Sequence, residues 1–211
     1  MKKLYLCRHG KTAWNMDRRI QGLTDIELND DGYQQAQRLA QFLSIQMRSQ
    51  PRVIASPLKR AQQTAYPIAE TLHCEVETDD RLIEINTGEF TGCRLEDLKN
   101  DSRWQQHLKD PWHAGYGIGG ESAESVRDRI MDIIHETMAQ EDSRDVILVT
   151  HASPIRHAIM ALLHIPTEHL YHLTIHNASA SLFEKRDAFY KAIYINAHEE
   201  LWLSNMHITS P

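Results

Sequence analysis

The 211-residue sequence predicts an α/β fold in three layers, with a mostly parallel central sheet and helices on both faces. Two patterns point to it. Short apolar runs of strand character recur at KLYLC (3–7), RVIAS (52–56) and DVILVT (145–150). Between and after them, apolar residues fall at helical spacing: Ala36, Leu39, Ala40, Leu43 and Met47; then Leu58, Ala61, Ala65, Ile68 and Leu72; then Val126, Ile130, Ile133, Ile134 and Met138. Strands that alternate with amphipathic helices favour a parallel sheet covered on both sides. Toward the C-terminus, SASLFEK and FYKAIYIN read as two shorter strands, an edge hairpin. No repeat, low-complexity tract or linker interrupts the chain, so residues 1–211 read as one domain.

Composition narrows the function classes. The formal net charge is −6, which argues against a nucleic-acid binder by bulk electrostatics. No apolar run approaches the roughly 18 residues that a membrane span needs. MKKLYLCRHG is too short of apolar residues for a signal peptide, so Met1 is expected to be the mature start. Cys7, Cys74 and Cys93 are odd in number and far apart, which suggests a reducing compartment such as the cytoplasm. Metal ligation is not indicated: there is no HExxH and no cysteine pair at zinc spacing, and the tightest histidine cluster (His169, His172, His176) has no carboxylate or cysteine at ligand spacing.

In parallel sheets ligands bind beyond the carboxyl ends of the strands, so the residues after each strand carry the functional reading. Arg8-His9-Gly10 follows the first, Ser56-Pro57-Leu58-Lys59-Arg60 the second, and His151-Ala152-Ser153 follows DVILVT. Three strands thus hand a cation or an imidazole to one edge. Ser56 is expected to cap the next helix and Pro57 to open it, with Arg60 in its first turn, a ready anion site. Pro67 conflicts with that helix and should kink or end it near Tyr66. Two arginine forks and backbone N–H groups suit a phosphate dianion. Surrounding cations favour neutral imidazole, and neutral histidine is a nucleophile that can carry a covalent intermediate. Phosphoryl transfer also needs an acid for the leaving oxygen and a base for water. Glu84, flanked by Leu82, Ile83 and Ile85, is one candidate carboxyl among several, in a half-buried setting that suits a proton donor.

These residues resemble a known family. RHGKTAWN (8–15), SPLKRAQQT (56–64), EINTGEFTG (84–92), GGES (119–122) and VILVTHASPIR (146–156) are similar, in order, to the histidine phosphatase superfamily, the phosphoglycerate-mutase-like group. The match runs from residue 4 to about residue 185. The resemblance implies that His9 becomes phosphohistidine and that Arg8, Arg60 and His151 form the phosphate pocket. It implies Glu84 as proton donor and then base for water, and Asn15 as a hydrogen-bonding support. Gln21, Gly22 and Ala152 would lie near phosphate or substrate; alanine at 152 still offers its backbone N–H. No metal or other cofactor is implied, and the expected partner is a small phosphorylated metabolite, with the chain a monomer or homodimer. Residues 86–120 would cover the crevice, with Trp104, His107, Trp112 and His113 among the residues that choose the substrate and the GYGIGG run a flexible segment.

Three readings compete. Cofactor-dependent mutases have basic residues after the glutamate, where this chain has Ile85, Asn86 and Thr87; that favours a phosphatase acting on phosphoserine, α-ribazole phosphate or a sugar phosphate. A cysteine phosphatase fails on spacing: six residues separate Cys74 from Arg81, one too many for that phosphate loop. A non-catalytic binding relative would be expected to lack one of the five core residues, and all are present. The C-terminal LWLSNMH (201–207) could be an interface or a capping segment.

Overall fold

A computed structural model describes residues 1–201 of the chain; all of LWLSNMH but Leu201 lies outside the described residues. Six strands, β1 (Lys3–Arg8), β2 (Arg52–Ala55), β3 (Val76–Thr78), β4 (Val146–Thr150), β5 (Ala180–Lys185) and β6 (Tyr190–Ala197), form one sheet in the order β3-β2-β4-β1-β5-β6. The first four in that order are parallel, and β5 and β6 are antiparallel to their neighbours. The predicted hairpin therefore exists, but β5 pairs with the central strand β1 and only β6 lies at the edge.

The helices are α1 (Ala13–Met16), α2 (Asp30–Gln46), α3 (Lys59–Thr71), α4 (Ser102–Lys109), α5 (Ala123–Ala139) and α6 (Ala152–Leu163). The strand alternation sorts them into layers, because successive side chains point to opposite faces. Leu4 and Leu6 pack with Ile130, Ile133, Ile134, Ile155 and Ile159 of α5 and α6. Tyr5 and Cys7 pack on the other face with Leu39, Leu43, Ala61, Ala65 and Ile68 of α2 and α3. A third, smaller cluster (Ile85, Phe90, Leu98, Trp104, Tyr116 and Val126) organises the segment 86–120.

Two local expectations at α3 need correction. Ser56 does not cap it. The helix begins at Lys59 after Leu58, which makes no side-chain cap bond; the Lys59 N–H is taken instead by Asp25 Oδ1 at 2.7 Å. The Ser56 hydroxyl accepts from Leu58 N and is engaged with a histidine described below. Nor does Pro67 end the helix, which continues to Thr71. One backbone bond to the Gln63 carbonyl is forgone, and burial of Ala61, Ala65, Ile68 and Ala69 against the sheet outweighs it.

Candidate active site

The strand register builds the site. Arg8 of β1 stands opposite Thr150 of β4, so the next residue on each strand, His9 and His151, are neighbours across about 4.8 Å of sheet. Their ring centroids lie 5.1 Å apart. On the other side of β4, Ala55 pairs with Val149, which sets Ser56 beside His151. A cleft of about 600 Å³ opens above these ends, lined by Arg8, His9, Asn15, Gln21, Gly22 and Arg60, together with Glu84 and Ala152. Eight of the nine expected site residues thus share one wall. The ninth, His151, is fully buried behind His9 and Arg60 and does not line the cleft.

The hydrogen bonds settle both tautomers. His9 Nδ1 lies 2.7 Å from the Gly10 carbonyl, which only accepts. The proton therefore sits on Nδ1, and Nε2 keeps a bare lone pair. Arg60 Nε can only donate, and it donates to His151 Nδ1 at 3.2 Å; His151 thus carries its proton on Nε2 and donates it to Ser56 Oγ at 2.8 Å. Burial, with the fields of Arg60 and Arg8 added, holds both imidazoles far below the usual histidine range. Burial also lowers the Arg8 and Arg60 guanidinium pKa values to about 10, which leaves both cationic at neutral pH.

Each cation is tethered mainly through carbonyls and, among the described residues, makes no ion pair of its own, although the field of Glu84 acts on both. Arg60 donates to Thr24 O (2.7 Å) and Gly22 O (2.9 Å), and Arg8 to Ile175 O (2.6 Å). Gly22 needs to be glycine: its φ is +49°, and an added Cβ would stand 2.4 Å from Thr87 Oγ1. Asn15 Oδ1 accepts from Thr12 N and from Asn177 Nδ2, while Asn177 also donates to the His9 carbonyl at 3.1 Å. Thr64 Oγ1 accepts from Gly10 N and donates to Arg60 O, tying the first loop to α3. Gln21 is buried, and its Oε1 has no partner among the described residues. Glu84 is half-buried at the rim, with Oε1 accepting from Ile85 N at 2.9 Å. The first turn of α6 begins at Ala152 without a side-chain cap, so helix N–H groups and the positive end of its dipole belong to the cleft.

Sequence reading missed several supports. Ser56, Thr64 and Asn177 act through side-chain bonds to residues far away in the chain, and Arg156, Tyr116 and Tyr171 reach the cleft from elements whose pattern reads only as core or loop. Conversely, Trp112 and His113 do not line the cleft. Trp112 lies under the Arg127 guanidinium in a separate depression, and His113 pairs with Asp110 at the surface. His169 and His172 stack with centroids 4.9 Å apart, whereas His176 stacks on His198; among the described residues no group of three or more could hold a metal ion.

Two predictions arise here. Cys7 is buried within a strand, and burial raises the thiol pKa of both Cys7 and Cys74, the reverse of what a thiolate nucleophile requires. Cys74→Ser is therefore expected to leave phosphatase turnover unchanged, and a large loss would revive cysteine chemistry. The second concerns stability. His9, His151 and His157 have folded pKa values below 6.5, so the unfolded chain takes up more protons as pH falls and stability is lost from about pH 6.5 downward. His157, lowered to about 4, contributes a loss of about 3 kcal/mol by pH 4. A melting temperature that stays level between pH 6.5 and 4 would contradict this.

A neutral imidazole beside two guanidinium groups and a helix N-terminus, on a sheet of this topology, is an arrangement suited to binding a phosphate ester. Comparison with known proteins agrees: residues 4–197 match the model of the histidine phosphatase superfamily (branch 1), and the chain belongs to that family. It is 34% identical to phosphoserine phosphatase 1 of Hydrogenobacter thermophilus, covering 95% of this chain and all of that one. It is 32% identical to a sequence named as a probable phosphoglycerate mutase from Serratia proteamaculans, covering 86% and 84%. A phosphoserine phosphatase mutant from Entamoeba histolytica, solved with phosphoserine, superposes with a TM-score of 0.86 at 28% identity, covering 95% and 100%. A mycobacterial glucosyl-3-phosphoglycerate phosphatase with VO3 gives 0.84 at 30% identity, covering 93% and 100%. The chain is a phosphatase of the phosphoric monoester hydrolase type.

Proposed function

We propose that this phosphatase hydrolyses a small phosphomonoester whose leaving group carries a second negative charge, phosphoserine being the leading candidate. His9 Nε2 attacks phosphorus and the P–O bond to the leaving group breaks, its oxygen taking the proton of Glu84. Water then loses a proton to Glu84 and attacks the phosphohistidine. The P–N bond breaks, phosphate departs and neutral His9 is restored. Arg8, Arg60 and the N–H groups of α6 from Ala152 onward hold the three non-bridging oxygens as charge develops. His151 braces Arg60 and His9 from behind; Asn15, Gln21 and Gly22 shape the phosphate end. The geometry of His9 carries this reading: Nδ1–H is locked on a carbonyl, and the free Nε2 sits in a cationic cleft.

The charge of the cleft supports the substrate class. Beyond Arg8 and Arg60 it is lined by Arg18, Arg19, Lys99 and Arg156, with Glu84 its lone carboxylate among the described residues. The segment 86–120 would act as the cover, giving Trp104, Gln105, Leu108 and Tyr116 to the wall. Immediately after Glu84 no cation is offered. The Asn86 side chain is spent on Gly119 O and Gly88 N, which supports hydrolysis over mutase chemistry. The chain would act as a monomer or homodimer, and its three free cysteines fit a cytoplasmic setting.

A panel of phosphorylated metabolites assayed without added metal is expected to show phosphate release, greatest for esters bearing a carboxylate such as phosphoserine. Preference for uncharged leaving groups would refute the substrate class. In a coupled assay with 3-phosphoglycerate and 2,3-bisphosphoglycerate, isomerisation faster than phosphate release would instead establish a mutase.

A further inference from the structure

We propose that Tyr171 is a positioning residue for the leaving-group half of the cleft, its hydroxyl clasping two separate parts of segment 86–120. Tyr171 belongs to the 3₁₀ stretch Thr167–His172 that follows α6, outside that segment. Its hydroxyl bonds to the Tyr116 hydroxyl at 2.8 Å and to His107 Nε2. His107 comes from the last turn of α4, and Tyr116 from the glycine-rich loop 115–120. One oxygen therefore holds the helix and the loop together and ties both to the main body of the fold.

The surroundings make that oxygen consequential. His107 is fully buried, with its ring 3.9 Å from that of Tyr116 and 5.3 Å from that of Trp104. Trp104 meets Phe90 edge-on. Trp104, Tyr116 and Tyr171 all line the cleft, so the clasp fixes three aromatic walls at once. Tyr171 is itself held from the other side. The Arg156 guanidinium lies 5.6 Å from its ring centroid, and Arg156 Nε donates to Leu173 O at 2.8 Å. Removing the hydroxyl would leave His107 Nε2 buried and unpaired, which costs more than the bond itself contributes. The walls would relax, and the leaving group would be held less firmly. The phosphate end, built from β1, β4, α3 and α6, would keep its geometry.

The inference rests on the cleft being the substrate site, and the experiment separates the two ideas. Phosphoenzyme formation and decay are followed in the full-length wild type and in Tyr171→Phe, with phosphoserine and with acetyl phosphate, whose leaving group is small. Tyr171→Phe is expected to raise the KM for phosphoserine about tenfold relative to that for acetyl phosphate, with kcat within about twofold and the phosphohistidine decay rate unchanged. Decay follows departure of the leaving group: it uses water with Glu84 as base and makes no use of the leaving-group walls. Tyr116→Phe removes one of the two bonds and leaves His107 paired, so about a threefold rise is expected; this second variant stands in if Tyr171→Phe does not fold. An unchanged KM ratio in the variant measured overturns the proposal, and so does an equal loss for both substrates accompanied by slower decay, the mark of general structural damage. Absence of phosphohistidine in the wild type would instead refute the catalytic reading itself.

Discussion

His9→Ala is expected to lower phosphate release by about 10⁴-fold or more and to leave no acid-labile phosphate on the protein. The effect is large because covalent catalysis has no second route here. His151 cannot replace it, since its Nδ1 accepts from Arg60 and its Nε2–H is committed to Ser56. Ligand binding should survive, because Arg8, Arg60 and the first turn of α6 remain. Trapping with labelled phosphoserine, followed by acid and base treatment of the denatured protein, checks the first point; titration with inorganic phosphate checks the second. Turnover within tenfold of wild type would end the assignment of His9 as nucleophile. The pH dependence follows from the same imidazole. The active form is neutral, and burial with the fields of Arg60 and Arg8 lowers the pKa well below 6.5. With an aryl ester such as p-nitrophenyl phosphate, whose leaving group needs no proton, the rate of phosphoenzyme formation should therefore hold its plateau through pH 6.5 and fall only at lower pH, once the ionisation of the ester itself is factored out. A half-maximal point at or above pH 6.5 would mean that the cleft does not exert this field.

Glu84→Gln is expected to slow turnover of an alkyl ester such as phosphoserine by about 10³-fold. The amide keeps the shape and can still accept from Ile85 N through Oε1, so the loss isolates the proton. With p-nitrophenyl phosphate the two half-reactions should separate. Its leaving group needs no proton, so phosphohistidine still forms quickly; the attacking water still needs a base, so the intermediate accumulates. A burst of nitrophenol followed by a slow steady rate is the expected trace. Equal slowing of both esters with no accumulation would point to a residue other than Glu84.

Much of this site is legible in local sequence. Arg8-His9, Arg60 and His151 each follow a strand whose apolar run is self-evident, and parallel sheets collect ligands at those ends. The core positions of α2, α3 and α5 follow from helical spacing alone. Glu84 is harder to single out, because a carboxyl in a loop has no periodicity to mark it; only the family motif distinguishes it from the other acids. Ser56 reads wrongly as a helix cap for a related reason. Its hydroxyl accepts locally only from Leu58 N, ahead of the helix, and its other partner lies 95 residues away. Trp112 and His113 belong to the segment expected to cover the cleft, yet the turn from Asp110 directs them elsewhere.

By itself, then, the sequence determined the layer architecture, every strand but the short β3 and the cations that stand at the strand ends, because each is encoded by residues within a few positions of one another. Only the tertiary structure decided the register of Arg8 against Thr150, the tautomers of His9 and His151, and the clasp of Tyr171 on His107 and Tyr116. Those features depend on partners distant in the chain, and the directions of buried hydrogen bonds are set by which donors and acceptors folding brings together.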